Sequence, residues 1–168
     1  IAPKFQIVSS PNNWTKTIKK SANNNVSDIN MLQYQYWVKL TEEIDNNYPK
    51  FKSRKPKAQN SYDFSMGTGL AYMYLTINTR SEEIRSQIWI KDNKILFDTL
   101  FESKEEIESE IGFALDWQRL DNRKVSLIGI SNDFNIDDEN SWVAAIKWHL
   151  DMASKLYEVF SDRIKKFN

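Results

Sequence analysis

Two adjoining runs between residues 71 and 90 alternate apolar and polar side chains with period two, and this pattern restricts the fold more than any other stretch. Ala71, Met73, Leu75 and Ile77 alternate with Tyr72, Tyr74, Thr76 and Asn78, while Ile84, Ser86, Ile88 and Ile90 alternate with Arg85, Gln87 and Trp89. Successive strand residues point to opposite faces, so each run presents one largely aliphatic face. Arg80-Ser81-Glu82-Glu83 between them reads as a hairpin connection. Tyr62 to Met66 reads as a shorter strand. It is separated from the next by Gly67-Thr68-Gly69, where two glycines are free to take positive φ. The three strands make an antiparallel meander.

Helical spacing flanks this meander. After Ser27 as N-cap, Ile29, Leu32, Tyr36, Trp37, Leu40 and Ile44 recur at three and four residues, predicting a helix to about Asn46. Pro49 stops it, having no N–H to continue the ladder. A helical region from about Asn93 to Ile111 carries Leu96, Leu100, Ile107 and Ile111 on one face. Ser103 followed by Glu106 is a capping-box pattern that would divide it into two helices. Leu115–Leu120 and Val125–Ser131 read as a second hairpin turning at Asp121-Asn122. Asp137 or Asp138 then caps a terminal helix whose buried stripe is Trp142, Ile146, His149, Ala153, Leu156 and Phe160.

Helix, three strands, helix, two strands, helix is an α+β order: a five-stranded, largely antiparallel sheet with helices packed on a face. At 168 residues one domain is expected, over 27–168, with 1–26 as a linker or the end of an upstream domain. That first segment holds Phe5, Ile7 and Val8, then Pro11-Asn12-Asn13-Trp14 and a polar stretch from Lys19 to Asn25. It begins with Ile1 rather than Met, as a piece of a longer protein would.

Most catalytic chemistry lacks its parts here. With no cysteine there is no disulfide, thiolate metal site or Cys nucleophile, and a reducing cytoplasmic setting is the expectation. One histidine does not make a zinc site or a Ser-His-Asp triad. His149 lies on an apolar helical stripe and is expected to be structural, bonded to a backbone carbonyl. The four glycines form neither a P-loop nor a dinucleotide fingerprint. Glu102-Ser103-Lys104 has the Glu-x-Lys spelling of a metal-dependent nuclease, but it falls in or between helices, where alternate residues do not share a face. Asp63 is the other tempting carboxylate, and one is insufficient. No catalytic residue, metal ligand or cofactor is therefore nominated. No apolar run reaches the ~20 residues of a membrane helix, so no membrane partner is expected. The start carries no secretory-signal pattern.

One cluster remains. Lys50-Phe51-Lys52-Ser53-Arg54-Lys55-Pro56-Lys57 packs five basic residues into eight positions and leads into the first strand. Residues 1–57 hold ten Lys/Arg against four Asp/Glu, a basic front half in a chain of zero net charge. Lys50, Lys52, Arg54, Lys55 and Lys57 are the candidate nucleic-acid-binding residues, with Arg80, Arg123 and Lys124 at hairpin connections as an extension. Tyr72, Tyr74 and Trp89 share one face of neighbouring strands. Three helices must pack somewhere, so these aromatics are expected beneath them as core, a base-stacking platform being the other reading. The acidic run Glu102, Glu105, Glu106, Glu108 and Glu110 is expected to be a solvated face, or else a dock for a basic partner.

Several motifs in order carry a resemblance. They are Tyr36-Trp37, Arg54-Lys55-Pro56-Lys57-Ala58-Gln59, Tyr62-Asp63-Phe64-Ser65-Met66-Gly67, Asn78-Thr79-Arg80, Phe97-Asp98 with Leu100, and Asp116-Trp117-Gln118-Arg119-Leu120. From about Asn30 to Lys165 the chain resembles a prokaryotic family catalogued as a domain of unknown function. That module often forms the C-terminal part of proteins whose N-terminal part is restriction-endonuclease-like. The resemblance implies a bacterial, non-catalytic accessory module of a restriction or DNA-processing and defence protein. DNA and an upstream nuclease-like domain would be its partners, and no catalytic residue carries over. The alternative is a protein-interaction or dimerisation module without nucleic-acid affinity, a homodimer among the forms it allows.

Overall fold

A computed structural model describes residues 27–167; the expected linker over 1–26 lies outside the described residues. The elements run α1 (Asp28–Asn47), β1 (Ser61–Ser65), β2 (Ala71–Asn78), β3 (Glu83–Lys91), α2 (Lys94–Glu102), α3 (Lys104–Ile111), β4 (Asp116–Gln118), β5 (Val125–Asp133) and α4 (Trp142–Lys165). This is the expected α+β order.

The sheet is antiparallel throughout, in spatial order β1-β2-β3-β5-β4. β5 rather than β4 adjoins β3, because the nine-residue strand matches β3 along its whole length while the three-residue strand suits an edge. β4 is shorter than the expected 115–120. Leu120 takes φ +55°, and the Lys94 ammonium draws the carbonyls of Arg119, Leu120 (3.0 Å) and Val125 (2.8 Å) and the Ser126 hydroxyl (2.9 Å) onto itself. The chain around Arg119 and Leu120 thus answers to a side chain of α2 instead of a strand ladder.

α4 is the spine of the helical layer. It packs against β2 and β3 and is flanked by α1 and α3, while α2 covers β5. Phe64, Met73, Leu75, Ile88, Ile128, Leu156 and Phe160 meet in one continuous core between sheet and helices. His149 crosses this core. Thr76 and Arg85 carbonyls, which only accept, lie 3.2 and 3.1 Å from its Nε2, which therefore carries the proton, and Tyr36 donates its hydroxyl to Nδ1 at 2.7 Å. The structural role expected for His149 holds, with two carbonyls rather than one.

Helix starts differ in detail. Ser27 caps α1 as expected, accepting from Asn30 N–H at 3.1 Å. The long middle helix does break at Ser103, yet Ser103 makes no side-chain cap and Glu106 turns instead to Arg163 at 2.7 Å. Neither Asp137 nor Asp138 caps α4, because a single 3-10 turn over Glu139–Ser141 intervenes and the helix proper starts at Trp142.

Candidate nucleic-acid interface

In antiparallel strands, directly opposed residues share a face. On the face away from the helices the register lines up Asp63, Tyr74, Gln87, Gly129 and Asp116 in one row, and Ser65, Tyr72, Trp89, Leu127 and Gln118 in the next. Tyr72, Tyr74 and Trp89 are therefore not core beneath a helix, correcting the expectation from sequence. The aliphatic faces of β2 and β3 take the helices, leaving these rings half-buried on the open side. Tyr74 and Trp89 meet edge to face at 4.7 Å.

The basic loop is held against the β1 edge of this face by side chains from below. Tyr62 accepts from the Arg54 N–H at 2.7 Å and donates back to the Arg54 carbonyl at 2.8 Å. Trp37 Nε1 donates to the Gln59 carbonyl at 2.8 Å, and Asn30 Nδ2 to that of Ala58 at 3.0 Å. Ile77 N–H donates to the Asn60 carbonyl at 2.9 Å as the chain joins the sheet. Five backbone groups that a free loop would give to water are thus fixed, and Arg54, Lys55 and Lys57 project from an anchored backbone.

Arg54 lies in an ion pair with Asp63, both side chains substantially exposed at 59% and 39%. At such exposure the pair contributes only ~0–1 kcal/mol, so a phosphate can compete for the guanidinium. Arg54 lines two hollows. One, of about 40 Å³, is shared with Lys55, Lys57, Gln59 and Ser61. The other is a shallow concavity of about 470 Å³ over the aromatic rows, closed on its far side by Lys91.

The remaining nominated cations are dispersed. Lys50 bonds Glu158 of α4 at 2.9 Å and sits over the Phe51 and Tyr157 rings, so it faces the helical layer. Lys52 is exposed on the chain leading into the loop. Arg80 occupies the β2–β3 turn, whose backbone N–H groups of Arg80 and Ser81 both donate to Asn78 Oδ1 at 3.0 Å. Arg123 and Lys124 lie beside Val125, opposite Lys91 and thus at the other end of β3 from Arg80. The nine residues of β3 span ~25 Å between those ends, too far for Arg80 and Arg123 to serve one compact ligand.

Lys91 was missed from sequence, although its parity with Trp89 and Arg85 places it on this face. Arg85 shares the face but is committed. It holds Asp116 at 2.8 Å and Glu83 at 3.4 Å, and although burial disfavours its cation, these partners raise its pKa. Lys52, Lys55, Lys57 and Lys91 have no carboxylate partner among the described residues.

The nuclease constellation is not assembled among the described residues. Lys104 pairs with Glu108 at 3.1 Å within the helix α3 instead of standing on a strand, and Asp63 pairs with Arg54 instead of a second carboxylate. No group of three metal-ligating side chains occurs among the described residues. The acidic run is largely engaged: Glu106 and Glu110 grip Arg163, and Glu108 accepts from Leu115 N–H and Trp117 Nε1 at 2.9 Å each. Its pKa is lowered chiefly by the Leu115 hydrogen bond.

A family model described as "Domain of unknown function (DUF4268)" matches residues 32–164. The chain belongs to this family. No curated protein and no solved structure matches it. The matched residues of the DUF4268 domain include all nine helices and strands named above, apart from the outermost residues of α1 and α4, and they contain the whole basic loop and the open face. Among the described residues no helix is long and apolar enough to cross a membrane.

Proposed function

We propose that this chain is a non-catalytic accessory module of a restriction or DNA-processing and defence protein, cytoplasmic, and that it binds DNA phosphates through the loop bearing Arg54, Lys55 and Lys57. The observation that carries the reading is the anchoring of this loop by Tyr62, Trp37 and Asn30. Cations on a fixed backbone engage phosphates without the ordering cost of a flexible tail. Lys52 lies next to the cluster, and Lys91 supplies a further cation across the open face. A nuclease-like domain in the same polypeptide is the partner that would do the cutting.

Titration of labelled duplex and single-stranded DNA at low salt tests the binding. Dissociation constants below ~100 μM, weakened by Arg54→Ala with Lys55→Ala, are expected. No binding in that range, or binding indifferent to the double substitution, sinks the proposal. The coding sequence upstream of Ile1 tests the context, since a nuclease-like domain there is what the reading requires.

A further inference from the structure

We infer that the open face of the sheet is a stacking platform for single-stranded DNA, with the bases on Tyr72, Tyr74 and Trp89 and the backbone running between Arg54 and Lys91. The inference rests on the nucleic-acid reading above and names the form of DNA that the same site takes.

Three observations converge on it. First, the rings are side by side on neighbouring strands and uncovered by any described helix, with Tyr74 and Trp89 only 4.7 Å apart. Stacking on a sheet needs rings at adjacent strand positions, because successive unpaired bases must each find a π-face. Second, the concavity over these rings is bounded by a cation on each side, Arg54 and Lys91. Its one carboxylate, Asp63, pairs with Arg54, and Lys91 leaves the concavity with a net positive charge. A hydrophobic partner protein would not call for cations on two sides of an aromatic floor, whereas a polyanion with flat apolar bases does. Third, duplex DNA presents its bases stacked and paired, and rings on the floor of a shallow concavity cannot reach them. Only a single strand can use both the rings and the charges.

The floor also fits on polarity. Ser61, which lines the concavity beside the rings, offers its hydroxyl to base edges. Neither the Tyr72 nor the Tyr74 hydroxyl is a buried, unpaired donor.

The test uses the 168-residue chain with fluorescein-labelled oligothymidylate and a duplex of the same length, read by anisotropy. Tyr74→Ala and Trp89→Ala should each weaken oligothymidylate binding on the order of ten-fold and leave duplex binding unchanged. Trp89→Phe, which keeps a ring, should restore most of the affinity. Photo-crosslinking of unsubstituted protein to 5-iodouracil-containing DNA, mapped by mass spectrometry, should label Tyr72, Tyr74 or Trp89. That readout stands even if an alanine variant fails to fold.

If alanine at the rings has no effect while Arg54→Ala with Lys55→Ala abolishes binding, the platform is overturned and the phosphate-binding loop survives. If neither DNA form binds, both readings fall. Equal losses on duplex and single strand, or crosslinks elsewhere, also overturn the platform. Tighter binding of oligouridylate than oligothymidylate would overturn the assignment to DNA. Self-association that Trp89→Ala abolishes, without oligonucleotide binding, would make a second copy the occupant instead.

Discussion

Buried among Tyr36, Trp37 and two strand carbonyls, His149 is held neutral, its pKa pushed down to about 3 by burial against the weaker pull of the Thr76 and Arg85 carbonyls. An unfolded histidine takes a proton near pH 6.5, so the unfolded state binds more protons than the folded one between those values. The stabilisation is complete above pH 6.5 and is lost as pH falls towards 3, with a total on the order of 5 kcal/mol. The lowered carboxylates Asp98, Glu108, Asp116 and Asp151 act at lower pH, so the fall between pH 6.5 and 5 belongs to the histidine. Urea unfolding across this range should show stability declining with acid, and His149→Gln should flatten that decline. An unchanged slope in the variant would refute the assignment.

Gly129 makes a second demand at single-residue scale. A Cβ there would clash with the Ser86 carbonyl and come within 2.8 Å of the Gln87 Cα, both backbone atoms of the neighbouring strand. Backbone cannot step aside as a flexible side chain can. Gly129→Ala should cost ~1–3 kcal/mol in chemical denaturation, although alanine is otherwise the mildest replacement. A neutral result would mean that β3 and β5 separate more readily than their register implies.

At the scale of elements, two segments without regular structure are held by side chains reaching in from neighbouring elements. The Tyr62 hydroxyl closes both the N–H and the carbonyl of Arg54. Tyr62→Phe should lower stability by ~1–2 kcal/mol and release the loop, so that trypsin cleaves after Arg54 or Lys57 faster than in the parent. DNA affinity should fall in parallel even though no charge is lost. The Lys94 ammonium does the same for the β4–β5 connection. Lys94→Met should raise amide exchange at residues 119–125 before it affects β1 and β2. Exchange that rises uniformly would show Lys94 to be dispensable to the connection. Arg119 adds an exposed bidentate grip on Asp98, at 2.8 and 2.9 Å, that ties the same connection to α2. Several motifs behind the family resemblance are thereby accounted for structurally: Tyr36-Trp37 and Tyr62 buttress the core and the loop, while Asp98 and Arg119 fasten one hairpin.

Taken as a whole molecule, the chain is a two-layer assembly whose charge is distributed by the fold rather than by sequence halves. The three loop cations define an expected salt response. Three phosphates neutralised on a single strand contribute about −2 to the slope of log K against log salt, and Ala at Arg54, Lys55 and Lys57 together should remove that contribution. A slope unaltered by that triple change would place the contacts elsewhere on the surface.

The period-two runs 71–78 and 84–90, the helical stripes and the stop at Pro49 were legible because each depends on local geometry that neighbours along the chain dictate. Those signals determined the α+β order, the hairpins and which residues share a strand face. They could not say which face the helices cover. Tyr72, Tyr74 and Trp89 are apolar enough for a core and polar enough for a surface, so parity alone leaves both sides open. Tertiary structure decided it, because α4 docks where Met73, Leu75, Ile77 and Ile88 offer aliphatic surface and where His149 reaches two strand carbonyls. The same docking separated the basic residues that sequence had grouped: Lys50 went to the helical layer, Arg80 and Arg123 to opposite ends of the sheet, and Lys91 joined Arg54 across the open face. Charge runs are properties of the chain, but a binding surface depends on distances between strands, and those exist only once the register is set.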